Sequence, residues 1–109
     1  MTFRYIFQVK VTPGKEESFE KAWHNGSVPI QQCPGAQGTR LHKKLGTKNL
    51  YIAIAEWESV TARTAAFATL DQPGNPLGEE MRHWGHNSDF GEVTLIAEID
   101  EIDSVFPPE

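Results

Sequence analysis

The stretch Leu50-Tyr51-Ile52-Ala53-Ile54-Ala55-Glu56-Trp57-Glu58-Ser59, running on through Val60 to Leu70, decides how the rest of the chain folds. Read as a strand over 50–58, it sends Leu50, Ile52 and Ile54 to one face and Tyr51, Ala53, Ala55 and Trp57 to the other, because side chains alternate along a strand. Both faces are apolar, so both need cover; a strand with one wetted face would alternate apolar with polar. Ser59 then offers a hydroxyl oxygen to the orphan N–H groups of a new helix. Ala62, Ala65, Ala66 and Thr69 recur at helical spacing as a stripe of small side chains that lets this helix lie close on a sheet. Trp57 stands at the junction, where a large ring with one N–H donor can wall a pocket.

Upstream, Phe3–Val11 reads as a strand, with the row Phe3, Tyr5, Phe7, Val9 and Val11 opposite Arg4, Ile6, Gln8 and Lys10. Thr12-Pro13-Gly14 opens a helix with Thr12 as N-cap and Pro13 in the first helical position, and Glu16 and Glu17 suit its positive end. Phe19, Ala22 and Trp23 face inward, Gly26 ends the regular part, and Pro29 argues against one long helix. After the Pro34-Gly35 turn, a second strand over 36–45 sets Leu41 and Leu45 against Arg40, His42 and Lys44, so one of its faces is wet. Gly46-Thr47-Lys48-Asn49 is a hairpin turn into the central strand.

Downstream, Asp71-Gln72-Pro73-Gly74 breaks the chain and Asn75-Pro76 starts a third helix with Leu77, Met81 and Trp84 on one stripe. A loop over 87–91 precedes a last strand over 92–102, which places Val93, Leu95, Ala97 and Ile99 on one side. The order strand, helix, strand, strand, helix, strand is the split βαβ pattern of an α+β, ferredoxin-like fold with an antiparallel sheet. One domain occupies 1–103, and 104–109, ending Phe106-Pro107-Pro108-Glu109, is a tail. This fold keeps its helices on one sheet face. The apolar second face predicts a homodimer through a two-fold contact.

Composition narrows the function. The 109 residues carry a net charge of −5 and no basic run, which argues against nucleic acid as partner. No apolar run approaches the roughly 20 residues that cross a bilayer, and Met1-Thr2-Phe3-Arg4-Tyr5 lacks the apolar centre of a secretory signal. Cys33 is alone, which excludes a disulfide framework and fits a reducing, cytoplasmic setting.

The densest polar and aromatic cluster is His83, Trp84, His86 and Asn87. His83 and His86 are the candidate general bases, since a neutral imidazole accepts a proton at physiological pH. Trp57, Trp84, Tyr51, Asn87 and Arg40 are the candidate substrate contacts, Arg40 as a permanent donor to an oxyanion. Glu79, His83 and His86 form a two-histidine, one-carboxylate set, but side chains diverging from one helix do not converge on a metal, so no metal is expected. Arg82 reads as solvated charge, His24 as a helix-end residue and Cys33 as inert.

These pieces resemble the antibiotic biosynthesis monooxygenase family of small dimeric α/β-barrel proteins. The likeness rests on Val11-Thr12-Pro13-Gly14-Lys15 with Phe19 and Trp23, on Pro34-Gly35-Ala36-Gln37-Gly38, and on the run from Tyr51 to Ser59. It implies a homodimer and a cofactor-independent oxygenase that needs neither metal nor flavin. In that chemistry a small phenol, quinol or anthrone-like ring loses a proton and its anion passes an electron to O2. The radical pair recombines, and the peroxide collapses to a quinone. Trp57 matches the tryptophan that closes the third strand, whereas the polar residue some members carry four positions earlier is Ala53 here. Haem degradation is not implied, because Tyr5-Ile6-Phe7 and Ala65-Ala66-Phe67 stand where that branch uses an asparagine and a tryptophan. The alternatives to an oxygenase are a non-catalytic binding module of the same fold and an isomerase of a small carbonyl compound.

Overall fold

The computed structural model describes residues 2–109. The chain runs β1 (Phe3–Val11), α1 (Glu16–Ile30), β2 (Ala36–Lys43), β3 (Leu50–Trp57), α2 (Val60–Leu70), α3 (Pro76–His83), a single 3-10 turn (Asn87–Asp89) and β4 (Gly91–Asp100). The strands form one sheet in the order β2-β3-β1-β4, and every neighbouring pair is antiparallel. This is the ferredoxin-like α+β architecture that the order of elements predicts.

Register explains which face is covered. Phe3 pairs with Trp57, Tyr5 with Ala55, Phe7 with Ala53 and Val9 with Tyr51, so these side chains share one face. Phe19 and Ala22 of α1, Ala66 and Leu70 of α2 and Met81 of α3 are buried, and they pack on that side. The opposite face carries Arg4, Ile6 and Gln8 of β1 beside Glu56, Ile54 and Ile52 of β3, all half-buried, and among the described residues no helix covers it.

Two caps work as the sequence suggests. The Ser59 hydroxyl accepts from the Ala62 N–H at 3.0 Å, and the Asn75 side-chain oxygen accepts from the Gly78 N–H at 3.0 Å with Pro76 next in line.

Four local expectations are corrected. Helix α1 begins at Glu16 rather than at Pro13, because residues 12–15 close a turn in which the Lys15 N–H donates to the Thr12 carbonyl at 3.0 Å. It also runs through Gly26 and Pro29 to Ile30. Pro29 lies next to the helix end, where only one intrahelical bond is lost, and its ring is fully buried. Gly26 is buried where α1 meets Trp84 and Met81. On α2 the inward stripe is Ala62, Arg63, Ala66, Phe67 and Leu70, so Ala62 and Ala66 face inward as expected while Ala65 and Thr69 are exposed. Finally, β4 does not keep Val93, Leu95, Ala97 and Ile99 on one side. Phe7 pairs with Leu95 but Ile6 with Ala97, so Ile96 is an extra residue, a β-bulge. The bulge leaves Val93 and Leu95 on the helix side and turns Ala97 and Ile99 to the uncovered face.

Candidate functional site

The core under the helices is divided in two. One cluster centres on Tyr5, Trp57, Ala66, Leu70 and Met81 and includes Cys33, whose thiol burial pushes up from its ordinary value. The other centres on Val9, Val11, Phe19 and Tyr51. Between them β3 presents only Ala53 and Ala55, and α1 presents Ala22 and Gly26. Four small residues where layers usually interdigitate leave a hollow, here a cavity of about 330 Å³. Such a volume is at the lower end of the roughly 300–1,000 Å³ of small-molecule sites, so it suits a compact ring system.

Its apolar wall comes from Phe7, Trp23, Trp57, Phe67 and Met81. Trp57 is 1% exposed and its ring lies 6.1 Å from that of Phe67, which fixes a broad aromatic surface at the end of β3. Polar side chains enter from Ser27 of α1 and Gln31 at its end, Thr39 of β2, Arg63 of α2, Asp71 just after α2, and His86 and Asn87 beyond α3. Thr39 gives its hydroxyl hydrogen to the Ile54 carbonyl at 3.2 Å, and Ser27, also in the wall, gives its own to the Trp23 carbonyl at 2.6 Å. Both therefore face a ligand chiefly as acceptors.

The approach of His86 and Asn87 has a backbone cause. Trp84 caps α3, and Gly85 turns the chain at φ +82°, a conformation that side chains disfavour. The His86 N–H then donates to the Asp89 carboxylate at 2.9 Å and starts the 3-10 turn that leads into β4.

Of the residues singled out by sequence, Trp57, His86 and Asn87 line this cavity. His83 does not: it is exposed, its ring edge-on to Trp84 at 5.2 Å. Trp84 is half-buried against α1 and stands outside the wall. Arg40 is on the other side of the sheet, 3.2 Å from the Glu56 carboxylate that Arg4 also meets at 3.1 Å. Tyr51 belongs to the far cluster, its ring 5.0 Å from Phe19. Its hydroxyl donates to Glu20 at 2.6 Å, and burial, together with that bond, drives the phenol well above its ordinary value. Arg82 is not idle charge, since it donates to the Leu70 carbonyl at 2.9 Å and so closes the end of α2. Among the described residues no three His, Cys, Asp or Glu side chains are placed to share a metal ion.

Arg63 and Asp71 are wall residues that the sequence reading passed over. Arg63, Phe67 and Leu70 recur at i, i+4 and i+7, so an amphipathic stripe containing a cation was there to be read. The alanines of the same helix masked it.

The profile of the family described as antibiotic biosynthesis monooxygenase matches residues 2–75. Among solved structures, the chain resembles SnoaB, a cofactor-independent oxygenase from Streptomyces nogalater. For an asparagine-to-alanine variant of that protein the TM-score is 0.72 at 20% identity, with 95% of this chain and 96% of that chain covered. A Pseudomonas aeruginosa protein gives a TM-score of 0.70 at 17% identity over 94% and 95%. A Bordetella bronchiseptica protein, provisionally described as an antibiotic biosynthesis monooxygenase, gives 0.70 at 20% over 93% and 97%. At these identities the structural likeness speaks for the fold. A search of the curated proteins returns no significant match. The family profile spans more than half of the sequence, from β1 through α2, and on that ground the chain belongs to the antibiotic biosynthesis monooxygenase family.

Proposed function

We propose that the protein is a cofactor-independent monooxygenase that oxidises a small phenol- or quinol-type ring with O2 in the cavity between the sheet and the helices. The observation that carries this reading is the cavity itself. It is an apolar slot of about 330 Å³, walled by Trp57 and Phe67, with an imidazole and an amide at its rim. The aromatic walls hold a flat ring and keep water from it. His86 takes the phenolic proton, and Asn87 donates to the oxygen that becomes negative. The anion gives one electron to O2, and the resulting radical and superoxide join at a ring carbon. His86 returns the phenolic proton to the outer peroxide oxygen, the O–O bond breaks to release hydroxide, and the ring carbon's hydrogen leaves as a proton that His86 takes up and passes to that hydroxide as water. One oxygen atom ends as the quinone carbonyl and the other in water.

The working unit in this proposal is a homodimer joined through the uncovered sheet face, in a cytoplasmic setting that suits the buried free thiol Cys33. Among the described residues no helix is long and apolar enough to cross a membrane.

Oxygen uptake and ultraviolet absorbance with a panel of hydroquinones under air test the reaction. Uptake matched one-to-one by quinone is expected, and His86→Ala should slow it by roughly 10²-fold or more. The same loss in His83→Ala with His86→Ala unaffected would overturn the assignment of the base. A second reading, a module that binds such rings without turning them over, is favoured by Ala53, which puts a methyl group at the centre of the wall. Tight ring binding without oxygen uptake would decide for it.

A further inference from the structure

Arg63 is held in a way that its surroundings do not explain. Its guanidinium lies 4.2 Å from the Tyr5 ring centroid and 4.9 Å from that of Phe67, and the residue forms part of the cavity wall. The ion pairs among the described residues run from Arg4 and Arg40 to Glu56 and Glu101, and none reaches Arg63. None of the side-chain hydrogen bonds recorded for these residues comes from it either. This happens in a chain with 15 acidic against 10 basic residues, where a carboxylate partner is easy to find. Contact with two ring faces holds the guanidinium in place without pairing any of its five N–H donors, which stay available to a ligand.

Its place on α2 sharpens the point. Arg63 is in the first turn of the helix, where its N–H bonds the Ser59 carbonyl, and that turn holds no acidic residue. A cation at the positive end of a helix is unfavourable, whereas an anion there is stabilised. The charged side chain that could neutralise it within the wall, Asp71, lies at the opposite end of α2. Eight residues along the helix separate them, about 12 Å at the usual rise per residue. His86 and Asn87 come from yet another element, beyond α3.

We infer that Arg63 is a specificity residue that binds a carboxylate on the substrate, so that the ring taken by this cavity is a hydroxylated aromatic acid. This rests on the cavity being the ring-binding site proposed above. The carboxylate meets the guanidinium fork, a paired interaction with geometry as well as charge. The ring lies along Trp57 and Phe67, and its hydroxyl group points to His86 and Asn87.

The test uses three probes of one ring: gentisate, its methyl ester and unsubstituted hydroquinone. Binding is followed by tryptophan fluorescence or calorimetry on the full chain. The wild-type protein should bind gentisate at least about tenfold more tightly than the ester, a difference of about 1.4 kcal/mol. Arg63→Gln should erase that preference while leaving ester and hydroquinone binding within about twofold, and Arg63→Lys should restore part of it. Melting curves confirm that each variant is folded. Equal affinity of the wild-type protein for acid and ester overturns the role of Arg63 and leaves the cavity standing as a ring site. Failure of all three probes to bind removes both. The comparison of acid with ester needs no variant, so it decides even if substitution of Arg63 impairs folding.

Discussion

Tyr51 shows how a residue can share a face with the site and still have no part in it. It lies on the same side of β3 as Trp57, yet six residues at about 3.3 Å each put the two roughly 20 Å apart. Its hydroxyl is committed to Glu20 at 2.6 Å inside the cluster around Phe19. That bond has a consequence for pH. Burial holds the folded phenol above the 10.0 of a free one, and the neighbouring carboxylate adds to the effect. Below that value the phenol is neutral in folded and unfolded chains alike, and the stabilisation is complete. Above it the unfolded chain releases a proton that the folded chain keeps, so stability falls as pH rises. Urea unfolding from about pH 9 to about pH 12 should therefore show a declining limb. Tyr51→Phe should cost about 1 kcal/mol near neutrality through the lost hydrogen bond, and it should make that limb shallower. An unchanged slope in the variant would assign the alkaline sensitivity elsewhere, in the first place to Cys33, whose thiol burial also pushes up.

At the scale of elements, the joint between α2 and α3 leaves no room for a side chain at Gly78. A side chain on Gly78 would land on the Leu70 carbonyl, the same oxygen that accepts from Arg82 at 2.9 Å. Gly78→Ala must push the two helices apart, and overpacking of this kind costs about 1–3 kcal/mol. The melting temperature should drop by roughly 5–15 °C in a domain of this size. A drop under about 2 °C would mean that the joint yields freely. What sequence can reveal of such elements depends on the range of the forces involved. Ser59 and Asn75 were legible as caps because a cap is an interaction within one turn. The apolar run of β3 was legible because alternation is local. The bulge at Ile96 was not, since it exists only in the pairing of β4 with β1, and it moves Ala97 and Ile99 to the face opposite the one their spacing suggests. The site divides in the same way. A polar cluster at residues 83–87 is visible in the string of letters, but the turn at Gly85 decides that His86 and Asn87 reach the cavity and His83 does not. Arg40 faces away as its alternation with Leu41 suggests: Leu41 pairs with Ala53 on the helix side and Arg40 with Ile54 on the other.

For the whole molecule the open question is what covers the second sheet face. Ile6, Ile52 and Ile54 lie there half-buried, joined by Ala97 and by Ile99, which is 41% exposed, and the Arg4–Glu56–Arg40 ion pairs border them. Strands about 4.8 Å apart with eight to ten residues each make a face of roughly 15 by 30 Å, a few hundred Å² in projection. A stable dimer buries about 800 Å² on each partner. The sheet alone falls short of this, so further apolar surface has to join it. The segment after β4 offers Ile102, Val105 and Phe106, which are 96%, 91% and 80% exposed on the single chain. A dimer in which each tail lies over the partner would bring the contact to the usual size. The wild-type protein should therefore sediment as a dimer at micromolar concentration. Ile54→Lys, in the middle of the face, should shift it to a single-chain mass without loss of helix by circular dichroism. Removal of residues 102–109 should raise the dissociation constant by roughly tenfold or more, because it takes away the side chains that complete the area. If the shortened chain dimerised as tightly as the full one, the sheet faces would suffice and the tail would have no part in the contact. If the full chain sedimented singly, the isoleucine face would have to tolerate water, against the size limit that apolar patches on soluble monomers obey.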